Sequence, residues 1–494
     1  MKRGGRVQCV RNSQRRVGAI NGLHQPKCAR KDRRTPKASP PQRLTPSRQC
    51  LGLRLSFCRF CSAELSADTF NRTAAGRKVD FQGKLPYSRP DVFSGFVQNM
   101  KEFPPGIDLK RVRVYPLAER QSLSAIDGLL VDPHQPAVAC HPTELDAIKQ
   151  CAANIAAARQ HSASVMLLYG AHLIKNGAQL IVNELVANGW VTHLATNGAG
   201  SIHDWELSFL GRTEESVKKN VASGTFGTWD ETGRYIHLAL LAGALRNEGY
   251  GRSLGRFICE DGVTLPRQES LENDIRNEPL HPLTPARAEL LSAMVEHQLP
   301  GGRIEVKHAW REASIVAQAF KHQVPLTVHP GIGYDIISNH PMFRGAVIGR
   351  AAGLDFALFG RAVEGLDGGV VLSVGSAIMA PQVFEKSLSC INNLRLQDAR
   401  EIIHDHTIYV VDIQDGGNWD WSKGEPQKDN PAYYLRFCKS FSRMGGEMKY
   451  VQCDNVAFLH NLLQHLKGGQ SSLFSPTQTR KKSRTDPDAP QKPT

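Results

Sequence analysis

The stretch Thr192-His193-Leu194-Ala195-Thr196-Asn197-Gly198-Ala199-Gly200-Ser201-Ile202-His203-Asp204-Trp205-Glu206 decides how the chain is read. An apolar strand, Val191 to Thr196, runs straight into four small or turn-forming residues. Helical material follows from about Ser201, and it offers His203, Asp204 and Glu206 at once. Small residues at such a junction let backbone N–H groups approach a phosphate, and the helix N-terminus adds positive potential. The same residues also make a plain tight turn. The G-x-G-x-x-G spacing of a dinucleotide fingerprint is missing, so both readings stay open here.

The pattern recurs along the chain. Ser164–Tyr169, Val324–Val328, Gly369–Val374, Ile408–Asp412 and Lys449–Asp454 are further short apolar runs. Amphipathic helical stretches separate them, among them one expected over about 172–188 and one through Pro381 to Asn393. Continuous apolar strands alternating with helices predict an α/β fold whose parallel sheet is covered on both faces. Ligands of such sheets collect beyond the carboxyl ends of the strands. The chemically loaded residues follow Thr196, Val328, Val374 and Asp412 or stand at Asp454, which points to an enzyme rather than a scaffold.

Composition narrows the alternatives. The 494 residues are 41% hydrophobic and contain no apolar run long enough to span a bilayer, so a cytoplasmic protein is expected. The formal charge of +14 is concentrated at the ends. Residues 1–50 hold 14 Lys/Arg against Asp32 alone, and 466–494 hold six against Asp486 and Asp488. The body between them is close to neutral, so basic character implies only non-specific phosphate attraction by two tails. The expected organisation is a basic, disordered extension over 1–95, a folded domain over 96–466 and a polar tail over 467–494. For the extension, an organelle transit peptide or a natural start nearer Met100 are rival readings. The eleven cysteines are read as reduced thiols. Cys58-Arg59-Phe60-Cys61, with Cys50 upstream, lacks a fourth ligand at suitable spacing, and no metal is expected.

Two loops carry further candidates. His329–His340 places Asp335 and His340 in or beside a glycine-rich loop, where an acid can hold an amine and an imidazole can act as general base. Asp412–Trp421 interleaves acids such as Asp415 with Trp419 and Trp421. Carboxylates among tryptophans suit a cationic aliphatic ligand, although an exposed loop whose rings pack on the body has the same composition.

Five segments, in order, resemble deoxyhypusine synthase over roughly residues 165–460. Ala171–Gly177 is similar to that family's S-N-L-I-S-S-G, and Thr196–Asp204 to its T-T-A-G-G-V-E-E-D. Gly331–His340 is similar to G-S-L-G-D-M-I-F-F-H, Val374-Gly375-Ser376 falls on a glycine triplet, and Val451–Asp454 resembles V-Y-A-D. The resemblance implies a Rossmann-like, doubly wound, mostly parallel sheet, an NAD cofactor and a homotetramer. It implies transfer of an aminobutyl group from a spermidine-like polyamine to an amine, either a protein lysine or a small molecule. Residue by residue, it places Thr196, Asn197, Gly198, Ala199, Asp204, Gly375, Ser376 and Asp454 on NAD. It places Asp335 on the polyamine and His340 as base, and the loop composition adds Asp415 and Trp419 as substrate-binding candidates.

The transfer lysine is where the chain departs. The family's S-W-G-K gives way to a longer segment, leaving Phe437-Cys438-Lys439 as its nearest equivalent, with Lys423 and Lys428 as rivals. His203 and His172 also replace a carboxylate and an amide of the family pattern. Altered specificity is therefore expected. The competing classes are a non-catalytic NAD- or amine-binding relative and a metal-dependent hydrolase built on His203, Asp204, His329 and His340.

Overall fold

A computed structural model describes residues 104–473. The extension over 1–95, Cys58 and Cys61 lie outside the described residues, as does the tail beyond 473. Six strands form one sheet: β1 (Val165–Tyr169), β2 (His193–Asn197), β3 (Leu326–His329), β4 (Val370–Val374), β5 (Thr407–Asp412) and β6 (Glu447–Gln452). All five pairings are parallel, and the spatial order is β3-β2-β1-β4-β5-β6. This is the doubly wound Rossmann order, in which the chain reverses direction across the sheet between β1 and β4.

The strands read as continuous apolar runs because both of their faces are buried, one residue to each side in turn. Val165, Leu167 and Tyr169 of β1, with Val370, Leu372 and Val374 of β4, face one core. Met166, Leu168 and Val371 face the other. The first core is closed by α1 (Pro142–Gln160), α2 (Gln179–Ala187) and α9 (Asn455–Leu473), which contribute Ile148, Ile155, Ile181, Leu185, Phe458 and Leu462. The second is closed by α7 (Gly345–Glu364) and α8 (Met379–Gln397) through Phe359, Val363 and Phe384. Side chains of this size each contribute about 1.5–3 kcal/mol when fully buried, so the two layers set the strand register.

Several boundaries differ from the sequence reading. The helix expected over 172–188 is two helices, Ala171–Lys175 and α2, because Gly177 turns at φ 81° against the Leu129 carbonyl. Helical structure after β2 begins at Gly198 rather than near Ser201, so the small residues form the first turn of α3 (Gly198–Leu210). Asp454 lies past the end of β6, and α9 continues beyond 466 to Leu473. A long excursion between β2 and β3 holds α4 (Asp230–Ala244), α5 (Tyr250–Cys259) and α6 (Ile315–Lys321). Among the described residues no helix is long and apolar enough to cross a membrane.

Candidate functional site

The carboxyl ends of β1 and β4 meet across Gly170 and Gly375. A Cβ on Gly170 would collide with the Gly375 carbonyl oxygen. Gly375 adopts φ 60°, and a Cβ there would collide with Asn455. Both positions therefore require glycine for reasons of space, and Gly375 for its backbone conformation as well. Beside them opens a crevice of about 520 Å³, walled by Asn197, Ser376, Asp412, Asp454 and Asn455 among others. Helix α8 starts at its edge. Ile378, the residue before α8, has no side-chain acceptor to offer, and Ser376 Oγ accepts only the Ala380 amide, at 3.3 Å. The first-turn N–H groups of a helix point outward along its axis and attract anions.

A second cavity, of about 250 Å³, lies on the other side of the α3 N-terminus, with Ala199, His203 and Asp335 in its wall. Asn197 faces the first cavity and Ala199 the second. Two residues of backbone span at most about 7 Å, so the two spaces share the first turn of α3. The second cavity carries Glu206, Glu214, Glu215 and Asp335 against Arg120 and Lys175. Arg120 holds Glu206 bidentately at 2.7 and 2.9 Å, with both side chains buried, and Lys175 lies 2.5 Å from Glu214. The balance of charge is negative, and Ile202, Val217 and Phe226 supply apolar wall.

Asp335 sits over the start of α3, where a Cβ on Gly198 would run into its carboxylate. It accepts the Gly331 amide at 2.7 Å, and burial raises its pKa to about 6. The small residues of the opening stretch are thus explained by packing. Gly198 admits Asp335, Gly200 admits the Thr196 hydroxyl, and Asn197 caps α3 by accepting the Gly200 amide at 2.8 Å. The Asn197 side chain already takes a first-turn amide, and the Asp335 carboxylate packed on Gly198 disfavours an anion at this turn. The helix N-terminus at the edge of the crevice is that of α8.

The structure separates the remaining expected site residues. Of the eight assigned to NAD, Asn197, Gly375, Ser376 and Asp454 line the crevice. Asp454 also caps α9, accepting from Val456 and Ala457 at 2.9 and 3.0 Å through one oxygen. Thr196 is fully buried. Asp204 faces neither cavity: it caps α6, accepting from Ser314 Oγ and from the amides of Ile315 and Val316 at 2.8 and 3.3 Å. Burial lifts its pKa to about 6. His340 is buried with both ring nitrogens engaged. Nδ1 accepts the Met342 amide at 3.0 Å, so Nε2 carries the proton and donates to Asp230 at 3.2 Å. No lone pair remains for base chemistry, which corrects the role expected for it.

The 412–421 loop divides in the same way. Asp412 walls the crevice, whereas Trp419 lines a separate cavity and donates to the Gly424 carbonyl at 2.9 Å. Asp415 is exposed and closes its own turn on the Gly417 amide. Lys439 lies against the Tyr433 ring, 3.5 Å from its centroid, and 3.5 Å from Glu425; it lines neither the crevice nor the α3 cavity. Arg120 and Glu215 escaped the sequence reading because nothing local announces their long-range partners. Lys175 was within a quoted segment but carried no spacing that marked it, and Glu206 was marked only as part of a cluster, without its Arg120 partner.

Sheet order and a crevice at the reversal point define a Rossmann-like α/β protein. No protein-family model matches the sequence, and no curated protein matches it. Among solved structures the chain is similar to AgrE in its ternary complex with ornithine and NAD+, at 15% identity over 68% of this chain and 34% of that one, with a TM-score of 0.33. It is similar to ArgZ, an arginine dihydrolase from the ornithine-ammonia cycle in cyanobacteria, at 15% identity, 68% and 33% coverage and a TM-score of 0.33. A conserved putative LOR/SDH protein from Methanococcus maripaludis S2 aligns at 14% identity, 72% and 77% coverage and a TM-score of 0.34. The chain spans about one third of the length of AgrE and ArgZ. None of these three is described as a deoxyhypusine synthase.

Proposed function

We propose that the chain binds NAD in the crevice between β1 and β4 and uses it to process a polyamine-like substrate held in the α3 cavity. The observation that carries this reading is the backbone contact of Gly170 with Gly375 at the reversal point, with the α8 N-terminus opening beside it. The donor set fits a dinucleotide. Backbone N–H groups of α8 suit the pyrophosphate, and the carboxylates of Asp412 and Asp454 suit ribose hydroxyls. No Lys or Arg lines the crevice, so phosphate binding there would rest on backbone donors and neutral side chains such as Asn176 and Ser376.

Bound NAD would supply a hydride acceptor for the carbon beside a secondary amine, leaving an imine on the substrate. The α3 cavity suits the substrate: its excess carboxylates pair with ammonium groups while Ile202, Val217 and Phe226 meet the methylenes. The resemblance to deoxyhypusine synthase suggests the next step, in which a lysine captures the four-carbon fragment as a Schiff base and releases 1,3-diaminopropane. Lys175 stands in the wall of this cavity, held in place by its ion pair with Glu214, so we assign the capture to Lys175 rather than Lys439. An acceptor amine would then displace the lysine, and the NADH formed in the first step would supply the hydride that reduces the new imine.

The test is incubation with NAD and spermidine, read for NADH and for 1,3-diaminopropane. Both signals are expected, with Lys175→Ala losing diaminopropane release at least tenfold and Lys439→Ala staying within twofold. Absence of NAD binding by calorimetry would overturn the cofactor assignment. NAD binding without a spermidine-dependent signal would overturn the substrate assignment alone.

A further inference from the structure

Cys140, Glu144 and Cys453 come together although more than 300 positions separate the two cysteines. Cys140 precedes α1, Glu144 lies in its first turn, and Cys453 directly follows β6. The two sulfurs are 3.9 Å apart, and a Glu144 carboxylate oxygen lies within 4.8 Å of both. We infer that these three side chains form a binding site for a thiophilic divalent cation of the zinc class, unrelated to the dinucleotide crevice chemistry.

The separation of the sulfurs is the first argument. With Zn–S bonds near 2.3 Å, a tetrahedral ion sets its two thiolates about 3.8 Å apart. The observed spacing matches without movement of the backbone, and a small shift of the Glu144 side chain brings its oxygen into the third position. Thiolates with one carboxylate select a zinc-class ion over the hard cations magnesium and calcium.

The surroundings supply the rest. Asn461 Nδ2 donates to Cys140 Sγ at 3.2 Å, an outer contact that orients the sulfur and favours its thiolate. His141 and Glu144 also line a cavity of about 390 Å³, which opens on the carboxylate side of the cluster. Without an ion, an ordinary cysteine thiol is protonated at neutral pH, its pKa lying at about 8.5. Binding therefore expels two protons to solvent as two metal–sulfur bonds form. Because Cys453 immediately precedes Asp454 and Asn455, an ion here would fasten one wall of the crevice to the start of α1.

The experiment is cobalt(II) titration of the full, reduced, metal-stripped chain. One equivalent is expected to bind with a thiolate charge-transfer band that zinc bleaches, and zinc addition is expected to release about two protons per ion. Cys140→Ser and Cys453→Ser should each abolish the band, whereas Cys58→Ser/Cys61→Ser should keep it. If a cysteine variant fails to fold, zinc protection of Cys140 and Cys453 from alkylation in the unaltered chain, read by mass spectrometry, serves instead. Three results would overturn the site: no stoichiometric cobalt, a band that follows Cys58 and Cys61, or a Cys140–Cys453 disulfide in protein prepared without oxygen.

Discussion

His203 donates to Thr213: its Nδ1 lies 2.7 Å from Thr213 Oγ1, and that hydroxyl donates in turn to Glu206 Oε2 at 2.7 Å. The direction of both bonds is forced. Glu206 is held ionised against Arg120, so it only accepts, and the single hydroxyl proton of Thr213 must go to it. Thr213 then accepts from His203, which places the ring proton on Nδ1. Burial keeps the imidazole neutral, with a pKa lowered to about 4. Nε2 is then the acceptor nitrogen of a ring that lines the α3 cavity. Thr213→Val removes the hydroxyl from the middle of this chain and leaves buried polar groups unpaired. A loss of about 1–3 kcal/mol in urea unfolding is expected. A change below about 0.5 kcal/mol, the range of ordinary surface substitutions, would mean the chain of bonds carries no stability.

Asp204 separates a family-pattern expectation from a packing role. Its carboxylate satisfies the start of α6 from inside the protein, with three donors on two oxygens. Asp204→Asn would turn an N–H donor toward groups that are themselves donors. Unfolding free energy is expected to fall by about 1.5–3 kcal/mol. NAD affinity, measured by calorimetry on the folded variant, should stay within twofold. A tenfold loss of affinity with unchanged stability would restore the cofactor role.

The sheet was legible because its strands are buried on both faces, so Val165–Tyr169 and Val370–Val374 read as unbroken apolar runs bounded by glycine. The glycines at 170 and 375 were visible, but not that their backbones touch, since this depends on β4 returning beside β1 from 200 positions away. The cluster at His203, Asp204 and Glu206 was also visible as a cluster. What each member does was not. Helical rotation sends Asp204 inward to α6 and leaves His203 on the cavity side, and Glu206 is claimed by Arg120 from a segment without periodic pattern. His340 misled for a related reason: a loop histidine reads as available until its two nitrogens are matched to Met342 and Asp230.

Stability is expected to fall on mild acidification. Burial lowers the pKa of His193 to about 3 and of His203, His237, His308 and His329 to about 4, against 6.5 in the unfolded chain. Their contribution is fully present above pH 6.5 and is lost as pH falls toward 4, because the unfolded chain binds the protons first. Asp204 and Asp335, raised to about 6, and Asp355, raised to about 7, act in the opposite sense. These carboxyls add stability only as pH drops below those values. Between pH 7.5 and 5 the five imidazoles outweigh the three carboxyls. The urea midpoint should therefore be lower at pH 5, and equal midpoints would show that the buried histidines do not titrate in this way.

Ile378 offers a test of the crevice in which binding and stability move in opposite directions. It stands at the N-cap position of α8 with a side chain that is 75% exposed, so replacing it disturbs no core. An aspartate at this position accepts first-turn amides and adds favourable charge at the helix end, stabilising the fold by about 0.5–2 kcal/mol. Those are the amides assigned to the dinucleotide pyrophosphate, and the new carboxylate also repels it. Ile378→Asp is therefore expected to raise the unfolding midpoint while weakening NAD at least tenfold, and Ile378→Ser, which caps without charge, should fall between. Higher stability with undiminished NAD affinity would move the phosphate away from α8. Loss of both would mean that Ile378 holds the crevice open rather than leaving it free.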